Sequence, residues 1–395
     1  METLAVRYHR LPEIQSAFTW PSAPSAWTFR RLLQDSALVA GWVSFDAVAF
    51  DPLSGAAGSI WCGLNVLDPV RHGILHRFDL ATARFERAAL DTAIEPFAVK
   101  IHKGIAIDGR RLIFGTASFL DAPDQGAAPG GKIIVYDTER GRVEACAVPV
   151  GPATGFPLGG QYIQSTLLDP ECATVYGCTY PVEVFFAYDL ATGRTRYLAH
   201  LQGTGLGQPH NLTRDARGRV WGTYGIRNGW SYAPNLYPVR PFLYDPATDG
   251  LTWLESCLPP RETPGDDPGS DALAAWGDWV YLADKSANLC RVHGETFAVE
   301  YLGKQSPRGR LPALIAAAQA LWGVTGDGGD VHLLRVREGG VDRVGPIVAG
   351  DGERPERLHD LTYAGGGRFF AGENDNQRRS SYLWEIHVPP AEIRC

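Results

Sequence analysis

An aromatic residue followed within two positions by a small residue occurs seven times along this chain of 395 residues. These aromatic–small pairs are Trp61-Cys62-Gly63, Phe114-Gly115, Tyr176-Gly177, Trp221-Gly222, Tyr281-Leu282-Ala283, Trp322-Gly323 and Phe370-Ala371-Gly372. They recur at intervals of about 40 to 60 residues, the length of one supersecondary unit with a variable loop. Most of them follow a short apolar strand and an Asp/Gly-type turn. Such a repeat indicates the blades of a β-propeller rather than a helical solenoid.

A second pattern follows several of the pairs, in which a strand ends on an aromatic residue and Asp. The copies are Phe78-Asp79-Leu80-Ala81-Thr82, Tyr136-Asp137-Thr138-Glu139-Arg140-Gly141, Tyr188-Asp189-Leu190-Ala191-Thr192-Gly193 and Tyr244-Asp245-Pro246-Ala247-Thr248. Each predicts a type I turn that leads from a third strand to a fourth. The sequence therefore predicts an all-β, seven-bladed β-propeller, with the blades in residues 44–388 of a single domain, 1–395, and a tail at 389–395.

The last repeat has only three evident strands, and its third is Tyr382-Leu383-Trp384-Glu385-Ile386. Near the N-terminus, Leu4-Ala5-Val6-Arg7-Tyr8 alternates like a strand. We predict that this strand completes the last blade, because such closure removes the open edge of a linear array. The rest of residues 1–43 is expected to hold a short amphipathic helix within 27–40.

Charge and composition exclude several classes of function. The net charge of −7 argues against nonspecific binding to nucleic acid, and no stretch reaches the ~20 apolar residues of a membrane span. The first ten residues lack the apolar core of a signal peptide, so we expect a cytoplasmic protein, with a removed leader as the alternative. The chain also lacks a GxSxG elbow, a phosphate loop, an HExxH motif and a dinucleotide fingerprint. We expect a monomer or weak oligomer without nucleic-acid or membrane partners.

Polar residues recur where the first strand of each blade begins. Aligned on the aromatic–small pairs, these positions are Asp46, His102/Lys103, Gln164/Ser165, His210/Asn211, Ser270/Asp271, Leu311 and His359/Asp360. First strands line the central channel of a propeller, so these side chains are expected to converge. Imidazoles with an amide or carboxylate suit a divalent transition metal or general acid–base chemistry. The alternative is that these residues are polar only because the channel is hydrated.

Tyrosines and arginines form a second candidate set. Tyr162, Tyr180, Tyr224 and Tyr232 fall at strand ends or adjoining loops of the two middle blades, where a phenol could transfer a proton or simply pack. Arg227, Arg240, Arg378 and Arg379 could clamp a carboxylate or remain solvated at the surface. The polar segment 372–385 is interpreted as an Asx-rich turn, or else as amides and guanidiniums presented beside His359.

The blade repeats, with His102, Gln164, His210 and His359 aligned at the channel, resemble the seven-bladed propellers of polysaccharide lyases such as ulvan lyases and oligogalacturonate lyases. Those lyases use inner-strand His, Tyr and Arg residues to abstract the proton next to a uronate carboxylate. The oligogalacturonate type also holds a metal through His and Gln. The resemblance implies a carbon–oxygen lyase that acts by β-elimination on a uronate-containing oligosaccharide or related glycoside.

By residue type and place, the resemblance gives each candidate an expected role. His210 is the expected base, with His102 in the same catalytic group and Tyr224 or Tyr180 as the acid. Substrate is expected to contact Gln164, Asn211, Arg227, Trp230, Tyr232 and Arg378. One divalent metal (Mn, Zn or Ca) is predicted on His102, Gln164, His210 and His359.

Two other classes of function stay open. A noncatalytic propeller would bind a partner across one face, since the fold alone implies no activity. A hydrolase, isomerase or cyclase acting on another small molecule would use the same channel without forming an unsaturated uronate.

Overall fold

A computed structural model describes residues 4–12, 14, 34–118, 128–157, 159–202, 211–225, 239–254, 266 and 269–393. These residues form seven antiparallel sheets of four strands each. The first strands of neighbouring sheets contact one another around the ring. The protein is therefore a seven-bladed β-propeller, as the repeats predict. No helix among the described residues is long and apolar enough to cross a membrane.

In blades 1 to 4 the strands pair in sequence order from the channel outwards. Blade 1 contains β2 (Val43–Asp51), β3 (Ser59–Val66), β4 (Leu75–Asp79) and β5 (Arg84–Arg87). Blade 2 contains β6 (Ala106–Asp108), β7 (Arg111–Gly115), β8 (Ile133–Asp137) and β9 (Arg142–Ala147). Blade 3 contains β10 (Tyr162–Asp169), β11 (Thr174–Tyr180), β12 (Glu183–Asp189) and β13 (Thr195–Gln202). Blade 4 contains β14 (Thr213–Arg214), β15 (Val220–Gly225), β16 (Val239–Asp245) and β17 (Gly250–Trp253).

The last three blades repeat this order, and the final blade takes its outer strand from the N-terminus. Blade 5 contains β18 (Ser270–Trp276), β19 (Trp279–Asp284), β20 (Asn288–His293) and β21 (Val299–Lys304). Blade 6 contains β22 (Arg310–Ala317), β23 (Ala320–Gly326), β24 (His332–Arg337) and β25 (Gly340–Pro346). Blade 7 contains β26 (Leu358–Tyr363), β27 (Arg368–Glu373), β28 (Leu383–His387) and, outermost, β1 (Ala5–His9). Antiparallel pairing of β1 with β28 confirms the predicted closure.

In the described residues, helical structure is confined to short segments outside the sheets. Helix α1 (Ser36–Gly41) begins after Asp35, whose carboxylate accepts the N–H groups of Ala37 and Leu38. Residues 27–33 of the predicted helix lie outside the described part. The remaining pieces are α2 (Pro69–His72), a 3₁₀ turn (Pro152–Thr154) and α3 (Pro390–Ile393).

All seven aromatic–small pairs lie in the second strand of a blade, which explains why they repeat. A Cβ atom added to Gly63 would lie 2.8 Å from Ile101, and one added to Gly372 would lie 2.7 Å from the carbonyl oxygen of Phe45. Both contacts come from the neighbouring blade, whereas a Cβ atom added to Gly177 or Gly222 would meet Phe186 or Phe242 in the third strand of the same blade. The second strand therefore needs a small residue there. The aromatic partner fills the space beside it, as the fully buried Trp221 and Trp322 show.

The repeated Asp residues cap turns, as the sequence predicts. In each case a third strand ends at the Asp, and its Oδ1 accepts backbone N–H groups of the turn that follows. Asp189, for example, accepts the N–H groups of Ala191 and Thr192, both at 2.8 Å. The others that do so are Asp79, Asp137 and Asp245.

The two faces of the ring differ in the length of their connections. Because the strands of each blade alternate in direction, the first and third strands begin at one face, where the second and fourth end. We call this the upper face and the other the lower face. Lower-face turns are short, such as 109–110 and 277–278, whereas upper-face connections include 88–105 and 347–357. Long variable connections commonly carry function, so this topology favours a site at the upper face.

Candidate active site at the channel mouth

A β-bulge marks the inner strand of four blades at the position that the sequence alignment selected. Strand pairing skips one residue between Phe45 and Ala47, between Ile163 and Ser165, between Ser270 and Ala272, and between Leu358 and Asp360. The skipped residues are Asp46, Gln164, Asp271 and His359. A bulge takes a residue out of the ladder and redirects its side chain. The four polar residues are therefore structurally equivalent, and each is buried.

Two histidines meet at the upper end of the channel. His359 lies in the bulge of β26, and His102 precedes β6; their ring centroids are 5.2 Å apart. The Nδ1 atom of His102 lies 3.0 Å from the carbonyl oxygen of Gln164, and that of His359 lies 2.8 Å from the carbonyl oxygen of Asp46. A carbonyl oxygen only accepts, so both Nδ1 atoms donate. In its neutral form each ring then carries its lone pair on Nε2, as a base or metal ligand requires.

Lys103 crosses from blade 2 to the far side of the channel. Its Nζ donates to the carbonyl oxygens of Pro312 at 3.1 Å and His359 at 2.5 Å, and Asp360 Oδ1 is 3.7 Å away. Burial lowers the pKa of Lys103, while the charges of Asp360 and Asp271 oppose this. These acceptors oppose the effect of burial and hold the Nζ atom next to the histidine pair.

Asp46 is one of the aligned channel positions, but it was not among the site residues predicted from the sequence. Its Oδ1 accepts hydrogen bonds from Asn374 Nδ2 at 2.7 Å and Ser44 Oγ at 3.0 Å. Burial raises the pKa of Asp46 to about 6, against the opposing charge of Lys100. A carboxyl group with this pKa exchanges protons near neutrality, which is the property of a general acid. Its place in the aligned set was the signal that could have identified it.

On the side of blades 4 and 5, the channel mouth is held by an amide and an ion pair. Asn211 Nδ2 donates to the carbonyl oxygen of Asp271 at 2.6 Å. Arg310 Nε lies 3.0 Å from both carboxylate oxygens of Asp271, which is fully buried. Asn211 thus makes the same kind of contact as His102, whose ring donates to the carbonyl oxygen of Gln164.

The predicted acids lie away from these contacts. Tyr224 is buried in the apolar cluster between blades 3 and 4, its hydroxyl donates to the carbonyl oxygen of Leu254 at 3.3 Å, and its ring meets Trp253 edge-on. This is the packing alternative that the sequence left open. Tyr180 ends β11 opposite Tyr162 and is half-buried.

Segment 372–385 is an Asx-rich turn, in agreement with the sequence interpretation. Asn376 Oδ1 accepts the N–H groups of Arg378 at 2.9 Å and Arg379 at 3.1 Å. Arg379 binds Glu373, whose side chain is fully buried, whereas Arg378 is exposed. The alternative interpretation also holds at one residue, because the amide of Asn374 reaches Asp46.

Four predicted site residues lie outside the described part of the chain: His210, Arg227, Trp230 and Tyr232. Within the described residues, no group of three or more His, Cys, Asp and Glu side chains has the geometry of a metal site. His102 and His359 nevertheless have the carbonyl-bonded Nδ1 that is common in metal-binding histidines. The metal on His102, Gln164, His210 and His359 therefore stays a prediction.

Comparisons with known proteins support the fold and go no further. No protein-family model and no curated protein matches the chain. Two structures of the extracellular domain of BT4673 from B. thetaiotaomicron, described as a one-component and as a hybrid two-component system, match with TM-scores of 0.53 and identities of 14% and 15%. They cover 93% of this chain, which spans only 40% and 39% of theirs. U3-55K matches with a TM-score of 0.54 and 11% identity, over 89% of this chain and 97% of its own.

Proposed function

We propose that the protein is a carbon–oxygen lyase that acts by β-elimination on a uronate-containing oligosaccharide or related glycoside at the channel mouth. The observation that carries this proposal is the buried pair of His102 and His359, in which both Nε2 atoms hold the lone pair. The resemblance to propeller lyases supports the same reaction.

β-Elimination makes three demands on a site. A base removes the proton from C5 of the uronate, the released electron pair forms the C4–C5 double bond, and the C4–O bond breaks. An acid protonates the departing oxygen, and the charge that develops on the carboxylate must be neutralised. The reaction therefore needs a base, an acid and a positive field within one small volume.

The described residues offer a candidate for each demand. His102 and His359, with His210 as predicted from the sequence, supply the base. Asp46, which can hold a proton near neutrality, is a better-placed acid than Tyr224. Lys103 is the candidate for the positive field. A divalent metal (Mn, Zn or Ca) held by the predicted ligands would neutralise the carboxylate.

The test uses substitutions that separate the structural and chemical roles of the imidazoles. In H102N and H359N the amide nitrogen takes the place of Nδ1, so the bond to the carbonyl is kept while Nε2 is removed. H293N is the matched control, because His293 Nδ1 caps a lower-face turn by accepting the N–H groups of Glu295 and Thr296.

The purified proteins are incubated with oligogalacturonates and ulvan oligosaccharides, and the ultraviolet absorbance of the conjugated double bond is followed. We expect product from the wild type and H293N, and a rate at least ~100-fold lower in H359N or H102N. Absence of unsaturated product with every uronate substrate, or undiminished rates in both channel variants, would refute the lyase.

The second candidate is a binding propeller without catalysis. The bonds from His102 and His359 to backbone carbonyls favour it, because they join neighbouring blades, and those of Lys103 join blade 2 to blades 6 and 7. This function predicts that H102N and H359N bind an oligosaccharide as the wild type does and that none of the proteins converts it.

A further inference from the structure

A charged pocket opens at the upper face, where blades 5, 6 and 7 meet. Its volume is about 310 Å³, and its side chains include Lys285, Lys304, Arg310 and Arg357. All four belong to upper-face connections or to strand ends at that face. The pocket therefore lies on the same side of the ring as the channel mouth.

The pocket has more positive than negative charge. Among the described residues, four cationic side chains line it against the carboxylates of Asp327 and Asp266, the second of which pairs with Lys304 at 2.7 Å. With Asp271, which binds Arg310 from outside the lining, the described residues supply four cations and three carboxylates. This local balance is the reverse of the whole chain, whose net charge is −7. Such an inversion concentrates anions at one place.

Both guanidinium groups that line the pocket, those of Arg310 and Arg357, are held in a fixed orientation. Arg310 is clamped on Asp271, and Arg357 binds Asp327 through Nε at 3.2 Å and Nη2 at 2.5 Å. In the described part of the chain, the Nη1 edge of Arg357 is left for a further acceptor. A fixed guanidinium edge binds carboxylate with little loss of side-chain entropy.

The pocket and the channel share one strand. Arg310 lines the pocket, and Pro312, two residues further along β22, supplies a carbonyl oxygen to Lys103 in the channel. Two residues of a strand span about 7 Å, so only a short length of β22 separates the two sites.

We propose that this pocket is a second anion subsite that binds the carboxylate of a uronate residue next to the one entering the channel. The chemical class follows from the proposed function, on which this assignment rests, while the anion preference follows from the charges alone. The predicted carboxylate ligands Gln164 and Asn211 serve the reacting residue, and Arg357 serves its neighbour.

The experiment measures binding instead of turnover. Trigalacturonate is titrated into wild-type protein by calorimetry, and its methyl ester, which lacks the charges, serves as the matched ligand. R357Q removes the guanidinium and R357K keeps only its charge. R337Q is the control, because Arg337 forms a comparable pair with Asp342 at the lower face, at 2.5 Å. Thermal unfolding checks that each variant is folded.

We expect R357Q to bind trigalacturonate about 10-fold or more weakly, R357K to fall between, and R337Q to match the wild type. Binding of the methyl ester should be weak and insensitive to R357Q. Unchanged affinity in R357Q, or equal affinity for acid and ester, would overturn the proposal. Inorganic phosphate is titrated separately; phosphate binding that is lost in R357Q, without trigalacturonate binding, would overturn the carboxylate assignment.

The two proposals fail in different ways. Trigalacturonate binding that depends on Arg357 but yields no unsaturated product supports the subsite and refutes the lyase. Elimination that R357Q leaves unchanged in rate and affinity supports the lyase and refutes the subsite.

Discussion

Glu385 is a buried carboxylate that links the N-terminal strand to the last blade. It lies in β28 and accepts hydrogen bonds from His9 of β1 at 2.9 Å, from His387 at 2.7 Å and from Arg368 at 2.9 Å. Burial raises the pKa of Glu385, but the hydrogen bonds from His9, His387 and Arg368 outweigh it and lower the pKa from 4.5 to about 2. Glu385→Gln keeps the shape of this side chain and removes its charge.

The lowered pKa sets the size and direction of the effect. A fall from 4.5 to about 2 corresponds to about 3 kcal/mol of folding free energy. This stability is fully present above pH ~4.5 and is lost as the pH falls through the folded-state pKa near 2. We expect E385Q to lower the free energy of unfolding at pH 7 by up to about 3 kcal/mol, or the melting temperature by about 4 °C in a chain of this length.

Urea-induced unfolding at pH 7, 4 and 3 measures both the loss and its pH dependence. E86Q is the control, since Glu86 pairs with Arg77 at 2.6 Å but has 61% of its side chain exposed. Its effect should stay below about 1 kcal/mol. The reasoning would be wrong if E385Q lost no more than E86Q, or if E385Q and the wild type showed the same stability change between pH 4 and 3.

Two further substitutions test the channel and the packing between blades. Lys103→Met leaves two carbonyl oxygens without their buried donor and should lower the free energy of unfolding, measured in urea, by about 3 kcal/mol. A loss below about 1 kcal/mol would contradict the hydrogen bonds of Lys103 across the channel. Gly115→Ala forces a Cβ atom into Ile163 of the next blade and should lower the free energy of unfolding by about 1–3 kcal/mol. Gly159→Ala, with no atom within 4 Å of the new Cβ atom, should stay within about 0.5 kcal/mol of wild type. Equal losses would refute the close packing of the next blade against Gly115.

The sequence predicts the blades well because their constraints recur locally. The second strand needs a small residue against the next blade at Gly63 and Gly372, and against the third strand of its own blade at Gly177 and Gly222, so the pattern repeats regardless of loop length. The turn aspartates are equally local, since Asp189 bonds N–H groups two and three residues away. Aligning the blades on such features also finds the bulged positions, because the bulge falls at the same place in the inner strands of four blades.

Contacts between distant segments are what the sequence leaves undetermined. Lys103 reaches carbonyl oxygens 209 and 256 residues away, and nothing near it in the chain indicates that crossing. Tyr224 falls at the end of a strand, which fits a site residue and a packing residue equally. The sequence does not indicate Arg357, because each cation of its pocket comes from a different part of the chain and no two of them form a motif.

The chemistry at the channel mouth follows from the way the bulges are stabilised. A bulge leaves a buried carbonyl group beside the ladder, and buried carbonyl groups require donors. Here the donors come from side chains of other blades: His359 to Asp46, His102 to Gln164, Asn211 to Asp271 and Lys103 to His359. A structural donor explains a polar residue at each position but does not explain imidazole, since asparagine fills the same role in blade 4.

The choice of histidine at two of these positions therefore points to Nε2, the atom that the structural bond does not use. Asparagine at either position would keep the bond to the carbonyl and remove Nε2 together with the rest of the ring. If H102N and H359N retain the stability of the wild type and lose its activity, the two roles of the ring are separate. If they lose stability as well, the imidazoles are needed for packing, and the argument for a catalytic pair no longer holds.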